Sequence, residues 1–157
     1  MLVSDYLLPD EVAKSPDLLR TWRWLIPESH SVVLVNLFAD PMVESIDGTV
    51  HYLDTGSGNL EQLASSRDEL HTLLLDPDNL RDWLMIPLVD RCRSNGLQLA
   101  EGQCYAFRIL PIFKEGSYDP TNVFASTIQG YLDFAGQVHQ QLADTPDGST
   151  IKIVETP

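Results

Sequence analysis

Alternating apolar and polar positions predict a β-hairpin in the first half of the chain. Its arms are residues 42–46 and 49–53, and the dipeptide Asp47-Gly48 between them supplies the positive φ angles of a tight turn. A near-continuous apolar run over residues 32–38 precedes the hairpin and is typical of a buried strand. Residues 60–64 follow it and predict one more short strand.

A helical signal comes before these strands. Residues 16–25 predict a first helix with Ser15 as its N-cap, so that residues 1–29 form a helical N-terminal extension. Trp22 and Trp24 are two positions apart and cannot share one face of a helix. One of them is therefore expected to be exposed and able to anchor a contact.

A capping box at Ser66 and Glu69 predicts the start of a second helical region. Pro77 interrupts this region, and a longer helix with an apolar stripe follows to about residue 94. Pro87 lies inside that longer helix, where it predicts a kink or a local break.

The last third of the chain predicts strands and a helix in alternation. Residues 103–109 alternate as a half-buried strand does, and residues 123–126 predict another short strand. Residues 127–143 predict the last helix, and residues 150–154 a closing strand. The whole order favours an α+β fold: a single domain over residues 1–157, with helices packed on a twisted, mostly antiparallel sheet.

Charge and composition exclude several classes of protein. The chain has 23 acidic and 10 basic residues, a formal net charge of −13. Nucleic acid and anionic membranes both attract basic surfaces, so neither is expected as a partner. The first residues lack the pattern of a signal peptide, and no apolar run reaches membrane-spanning length. With two half-buried, reduced thiols at Cys92 and Cys104, these features predict a cytoplasmic protein.

No constellation of side chains points to catalysis or to a cofactor. Four histidines occur without metal-binding spacing: His30, His51, His71 and His139. All four are interpreted as ordinary, partly exposed residues. Ser57 lies in a turn and not in a nucleophile elbow, and Cys104 lies in a strand, where packing is the usual role. We therefore expect no catalytic residue, no metal and no cofactor.

The acidic residues are unevenly distributed. Residues 24–66 and 115–151 contain no lysine or arginine and carry six and five acids, respectively. One interpretation is a solvated acidic face that keeps the protein soluble. The other is a surface that attracts a basic partner and speeds association. The predicted partner-binding residues are the acids of the hairpin and its flanks: Asp40, Glu44, Asp47 and Asp54.

Several short motifs, taken in order, resemble one bacterial family. They occupy residues 37–40, 47–54, 63–70, 82–84, 102–107, 134–141 and 146–151. The family is that of the Tdi-type immunity proteins of type VI secretion, which protect against DNase effectors, and the resemblance covers about residues 30–153. Residues 110–118 contain a single glycine where relatives tend to carry a Gly-Gly loop, so a toxin that contacts this loop would differ as well.

The resemblance implies an immunity protein that binds and neutralises a cognate toxin without catalysis. Its mechanism would be occlusion, in which the acidic surface covers the toxin's basic substrate groove or its active site. Two alternatives remain: a regulatory domain that senses a small ligand, and, less favoured, an enzyme with an unrecognised site.

Overall fold

Four consecutive strands form one antiparallel sheet in the first half of the chain. The computed structural model describes residues 2–27, 29–146 and 148, and the four strands pair in sequence order. They are β1 (His30–Val35), β2 (Pro41–Ser45), β3 (Val50–Asp54) and β4 (Asn59–Ala64). The predicted hairpin of β2 and β3 is confirmed, as are the strands on either side of it.

The hairpin turn differs from the predicted one. Positive φ occurs at Gly48, at 90°, and not at Asp47. The Gly48 amide donates to the Ser45 carbonyl, and the Ser45 amide donates to the Thr49 carbonyl, each at 2.9 Å. This is a three-residue loop, in which a tight turn over Ile46 and Asp47 is followed by a left-handed glycine. Because the loop has three residues, only Gly48 needs a positive φ and Asp47 does not.

The helix α2 (Arg67–Leu73) begins where the capping box predicts. The Ser66 hydroxyl accepts a hydrogen bond from the Glu69 amide at 3.1 Å. The Glu69 carboxylate reaches back to the hydroxyl of Ser65, one residue before the cap, at 2.9 Å. One amide donor of the first turn, that of Glu69, is therefore satisfied by a local side chain.

Two helices, α3 (Pro77–Trp83) and α4 (Ile86–Ser94), replace the single longer helix of the prediction. The break lies at Met85, which has a left-handed φ of 52°. Pro87 falls in the first turn of α4, where an amide donor would have no helical partner. The local break predicted from Pro87 is confirmed.

A two-stranded antiparallel sheet and a long helix complete the described fold. They are β5 (Gln103–Phe107), β6 (Val123–Thr127) and α5 (Ile128–Leu142). The prediction that β5 is half-buried is wrong, since residues 104–107 are all buried. One reason is that β5 contacts the segment between β1 and β2, where the Tyr105 amide donates to the Leu37 carbonyl at 2.7 Å.

Residues 16–25 do not form the predicted helix. They form turns and a 3-10 helix at Arg20–Trp22, after a left-handed residue at Asp17. Two short helices precede them, the 3-10 helix Val3–Tyr6 and α1 (Asp10–Ala13). A network of contacts with the rest of the molecule outweighs the local helical preference here.

The two tryptophans of this segment lie side by side, against the prediction. Trp22 and Trp24 are stacked with ring centroids 6.0 Å apart. Their indole N–H groups donate to the carbonyls of Leu132 and Gly136 in α5, at 3.0 and 3.2 Å. Trp22 is fully buried and Trp24 partly so, which means that neither is an exposed anchor.

The first sheet separates two apolar layers. Val43 and Leu53 face the main core, to which the N-terminal segment also contributes Trp22. Met42 and Val50, which alternate with them along the strands, face a smaller cluster with Leu70 of α2. The predicted α+β single domain is confirmed. The predicted strand at residues 150–154 lies outside the described residues.

Among the described residues, no helix is both long enough and apolar enough to span a membrane.

Candidate functional site

The hairpin register places the four predicted acids at two separate ends of the hairpin. β2 and β3 pair with Glu44 opposite Val50. The same register, continued along the chain, sets Asp40 opposite Asp54 at the open end of the hairpin. Asp47 lies in the turn at the closed end. At roughly 3.4 Å per residue the two ends are about 14 Å apart, so the four acids do not form one cluster.

Asp40 lies in the interior of the protein, being 1% exposed. Its Oδ1 accepts hydrogen bonds from the Thr55 amide (2.9 Å) and hydroxyl (2.7 Å). Its Oδ2 accepts from the Asn36 amide group (3.1 Å) and the Tyr52 hydroxyl (2.9 Å). Burial raises the pKa of Asp40 to about 7, and the charge of Asp54 adds to this, while the bonds from Thr55 and Asn36 oppose it. The expectation that Asp40 belongs to an exposed acidic face is thereby corrected.

A buried polar network continues from Asp40 to α5. The Thr55 hydroxyl lies 3.0 Å from the Tyr131 hydroxyl, and the Thr55 carbonyl lies 2.8 Å from Nε2 of His139. His139 is 3% exposed, so its interpretation as partly exposed is wrong. Burial lowers the pKa of His139 and favours its neutral ring, whose Nε2–H can donate to the carbonyl. The network therefore ties the hairpin to α5.

Asp54 is half-buried at the end of β3. Its Oδ1 accepts from the Gly56 amide and its Oδ2 from the Tyr118 hydroxyl, each at 2.9 Å. Tyr118 is 44% exposed and meets Phe107 edge-on, with ring centroids 5.3 Å apart. Burial, followed by the charge of Asp54, raises the pKa of Tyr118. Asp54 thus binds the loop over residues 108–119 to the sheet.

Glu44 and Asp47 lie at the closed end of the hairpin, where solvent reaches both. Glu44 forms an ion pair with Arg67 of α2, with 3.0 Å between Oε2 and Nε. Asp47 Oδ1 accepts from the amide (3.0 Å) and the hydroxyl (2.7 Å) of Thr49, and these bonds lower the pKa of Asp47. The Asp47 carboxylate is consequently ionised and held in a fixed position.

The start of α2 brings further acids to this end of the sheet. β4 ends at Ala64 opposite Val50, so the chain enters α2 beside the hairpin turn. Asp68 and Glu69, both exposed, lie in the first turn of that helix. We call this region the tip surface, which comprises Glu44, Ile46, Asp47, Asp68 and Glu69.

Ile46 is the part of the tip surface that the sequence pattern did not single out. It is 89% exposed, the largest exposed fraction among the large apolar side chains of the described residues. The sequence pattern places Ile46 at the end of the first arm, whereas the three-residue loop of the structure places it in the turn.

Ion pairs connect the base-free spans to bases elsewhere in the chain. Arg67 pairs with Glu44, Arg91 with Asp119 and Arg20 with Asp133. Each pair joins an acid of a base-free span to a base outside it. Negative charge is therefore less concentrated on the folded surface than the base-free spans of the sequence suggest, because bases from other segments neutralise part of it.

Both thiols are buried and lack the setting of a nucleophile. Cys92 and Cys104 are fully covered and not half-buried as predicted. Burial raises the pKa of Cys104 to about 12, which keeps the thiol protonated. Within the described residues, no group of three or more His, Cys, Asp or Glu side chains is arranged to hold a metal ion.

A surface groove of about 520 Å³ lies between residues 13–20 and the start of β1. Lys14, Arg20, Arg23 and His30 contribute basic side chains to its lining. Arg20 and Arg23 also form ion pairs with Asp133 and Asp17, respectively.

Comparison with known proteins matches one segment of the fold to a family. Residues 64–139 match the family described as T6SS immunity protein Tdi1, C-terminal. The matched segment runs from the last residue of β4 to the later part of α5, and the hairpin turn lies before it. No curated protein matches the chain. The predicted resemblance is confirmed over residues 64–139, where the chain is similar to the C-terminal region of the Tdi1 family of type VI secretion immunity proteins.

Proposed function

We propose that this protein is an immunity protein that binds a cognate toxin and neutralises it without catalysing a reaction. The observation that carries the proposal is the match of residues 64–139 to a family of type VI secretion immunity proteins. The net charge of −13 supports a partner with a basic surface. A DNase has such a surface, because it must bind the phosphate backbone of its substrate.

The proposed toxin contact is the tip surface. It keeps Glu44 and Asp47 from the predicted set and adds the acids at the start of α2. Asp54 remains a proposed contact of limited access, since Tyr118 lies over it at the other end of the hairpin. Asp40 is buried and would act only by holding the hairpin in place.

The proposed mechanism is occlusion of a basic groove. Acidic side chains attract the toxin over a distance and raise the rate of association, which matters when the toxin must be captured before it reaches its substrate. The hairpin turn lies outside the matched residues 64–139.

The experiment that tests this proposal is rescue of growth in a test bacterium. The protein encoded by the neighbouring gene is tested as the toxin: it is expressed alone, then together with the wild-type protein. Restored growth and a stoichiometric complex of the two purified chains are expected. If the toxin does not bind the wild-type protein and still stops growth in its presence, the two proteins are not a toxin–immunity pair.

The surface groove favours a second candidate function, a regulatory domain that senses a small anion. Lys14 and His30 face this groove together with two paired arginines. A set of small carboxylates and phosphates would then raise the melting temperature of the purified protein. Unchanged melting with every compound in the set argues for the immunity function alone.

A further inference from the structure

The hairpin turn presents an apolar side chain that the fold itself does not bury. Ile46 is 89% exposed, whereas Val43, Val50 and Leu53 of the same hairpin are at most 1% exposed. The alternation along β2 and β3 fills both apolar layers with these other residues. Ile46 lies beyond the last paired positions, in the turn, and no described part of the chain covers it.

The turn holds Ile46 in a fixed position. Hydrogen bonds from the Gly48 amide to the Ser45 carbonyl, and from the Ser45 amide to the Thr49 carbonyl, close the loop on both sides. The Asp47 carboxylate accepts two further bonds from Thr49. Isoleucine is branched at Cβ and has few rotamers to lose. Burying this side chain in a complex would therefore cost little ordering of the free protein.

Several acidic side chains lie at the same end of the sheet as this apolar one. Asp47 is its neighbour in the turn, and Asp68 and Glu69 lie at the start of the adjacent helix. The nearby base Arg67 is engaged by Glu44. An apolar centre with a polar rim is the usual arrangement of a protein–protein interface.

We propose that Ile46 is the apolar anchor of the toxin contact, and that it enters an apolar recess on the toxin bordered by lysine or arginine side chains. This inference rests on the proposed function and specifies the chemistry of the partner's site. The acids of the tip surface match the basic border by charge, and Ile46 matches the recess by shape. The acids act mainly on the rate of association, and the anchor acts mainly on the rate of dissociation.

The test is a kinetic comparison of two aliphatic truncations. The toxin used is one against which the wild-type protein restores growth. It is immobilised, and the full chain is the analyte. Ile46→Ala is compared with Leu75→Ala, because Leu75 is 80% exposed and lies beyond the far end of α2. A third variant, Ile46→Thr, keeps the branched shape and removes the apolar end.

Both Ile46 variants are expected to dissociate about 10- to 30-fold faster, with an association rate within about twofold of wild type. Leu75→Ala is expected to leave both rates unchanged. Thermal unfolding of all three variants should match the wild type, because neither side chain is part of the core. An unchanged melting temperature together with faster dissociation would show that the substitution weakens the contact with the toxin and not the fold.

Three outcomes contradict the inference. Wild-type dissociation rates in both Ile46 variants would remove Ile46 from the interface and leave the immunity function intact. An equal effect of Leu75→Ala would mean that the anchor is not at the hairpin turn. Failure of the wild-type protein to bind any toxin would instead overturn the proposed function, and this inference with it.

Discussion

Thr55 donates two hydrogen bonds to the same carboxylate oxygen of Asp40, from its amide at 2.9 Å and from its hydroxyl at 2.7 Å. The hydroxyl also lies 3.0 Å from the hydroxyl of Tyr131. All three residues are buried, so each polar atom depends on the others for its partner. The open end of the hairpin is therefore a structural centre, while its closed end faces solvent.

Replacing Thr55 by valine should destabilise the protein by about 1–3 kcal/mol. Valine keeps the shape of threonine but removes the hydroxyl donor, which leaves one bond to Asp40 Oδ1 unmade. The free energy of unfolding in urea measures the effect. Thr55→Ser keeps the hydroxyl and should cost less than Thr55→Val. A valine variant as stable as the wild type would show that the hydroxyl bond contributes nothing.

The stability contribution of Asp40 should depend on pH. Its folded-state pKa is raised from the usual 3.8 to about 7, chiefly by burial. Between about pH 4 and pH 7 the folded protein then binds more protons at Asp40 than the unfolded chain does. The free energy of unfolding must fall with rising pH through that range, as far as this residue is concerned.

Asp40→Asn isolates this contribution, because asparagine does not titrate. Urea unfolding of the wild type and the variant at several pH values between about 4.5 and 7.5 provides the comparison. The wild type should lose stability relative to the variant as the pH rises. A constant difference across the range would contradict a raised pKa, and the opposite slope would indicate a lowered one.

Two glycines with positive φ offer a matched test of packing against backbone strain. Gly48 has a φ of 90° and open space where a Cβ would lie, whereas at Gly58, with a φ of 78°, that atom would lie 2.6 Å from Nδ1 of His139. Gly48→Ala should cost about 1–2 kcal/mol from backbone strain alone. Gly58→Ala should cost about 1–3 kcal/mol more, because the buried ring must also move. Equal urea midpoints for the two variants would mean that moving the His139 ring costs no stability.

Charge reversal at the tip surface should slow toxin binding. Glu44→Lys combined with Asp47→Lys should reduce the association rate by about 10-fold at low salt and flatten its salt dependence, because long-range attraction is lost. The matched control is Glu101→Lys combined with Asp144→Lys, which changes the net charge equally at two exposed acids outside the hairpin. If both double variants bind alike, the effect belongs to net charge and not to the tip surface.

Local signals in the sequence predicted most of the regular structure. The capping residue Ser66 and the alternation along β2 and β3 each predicted the correct element. These signals act between residues a few positions apart, so the sequence carries them directly. The excess of acids and the resemblance over residues 64–139 were likewise visible without a structure.

Only the tertiary structure decided which of these residues are surface residues. Asp40 is buried and takes two of its four hydrogen bonds from Thr55, 15 positions later. His139 is buried against a carbonyl 84 positions away. Trp22 lies outside any α-helix, and its indole N–H donates to a carbonyl 110 positions later in the chain. Burial and pairing depend on contacts between distant segments, which no local pattern encodes. For the same reason the four predicted acids lie apart. Glu44 and Asp47 are at the closed end of the hairpin, and Asp40 and Asp54 are at its open end, where Asp40 is buried.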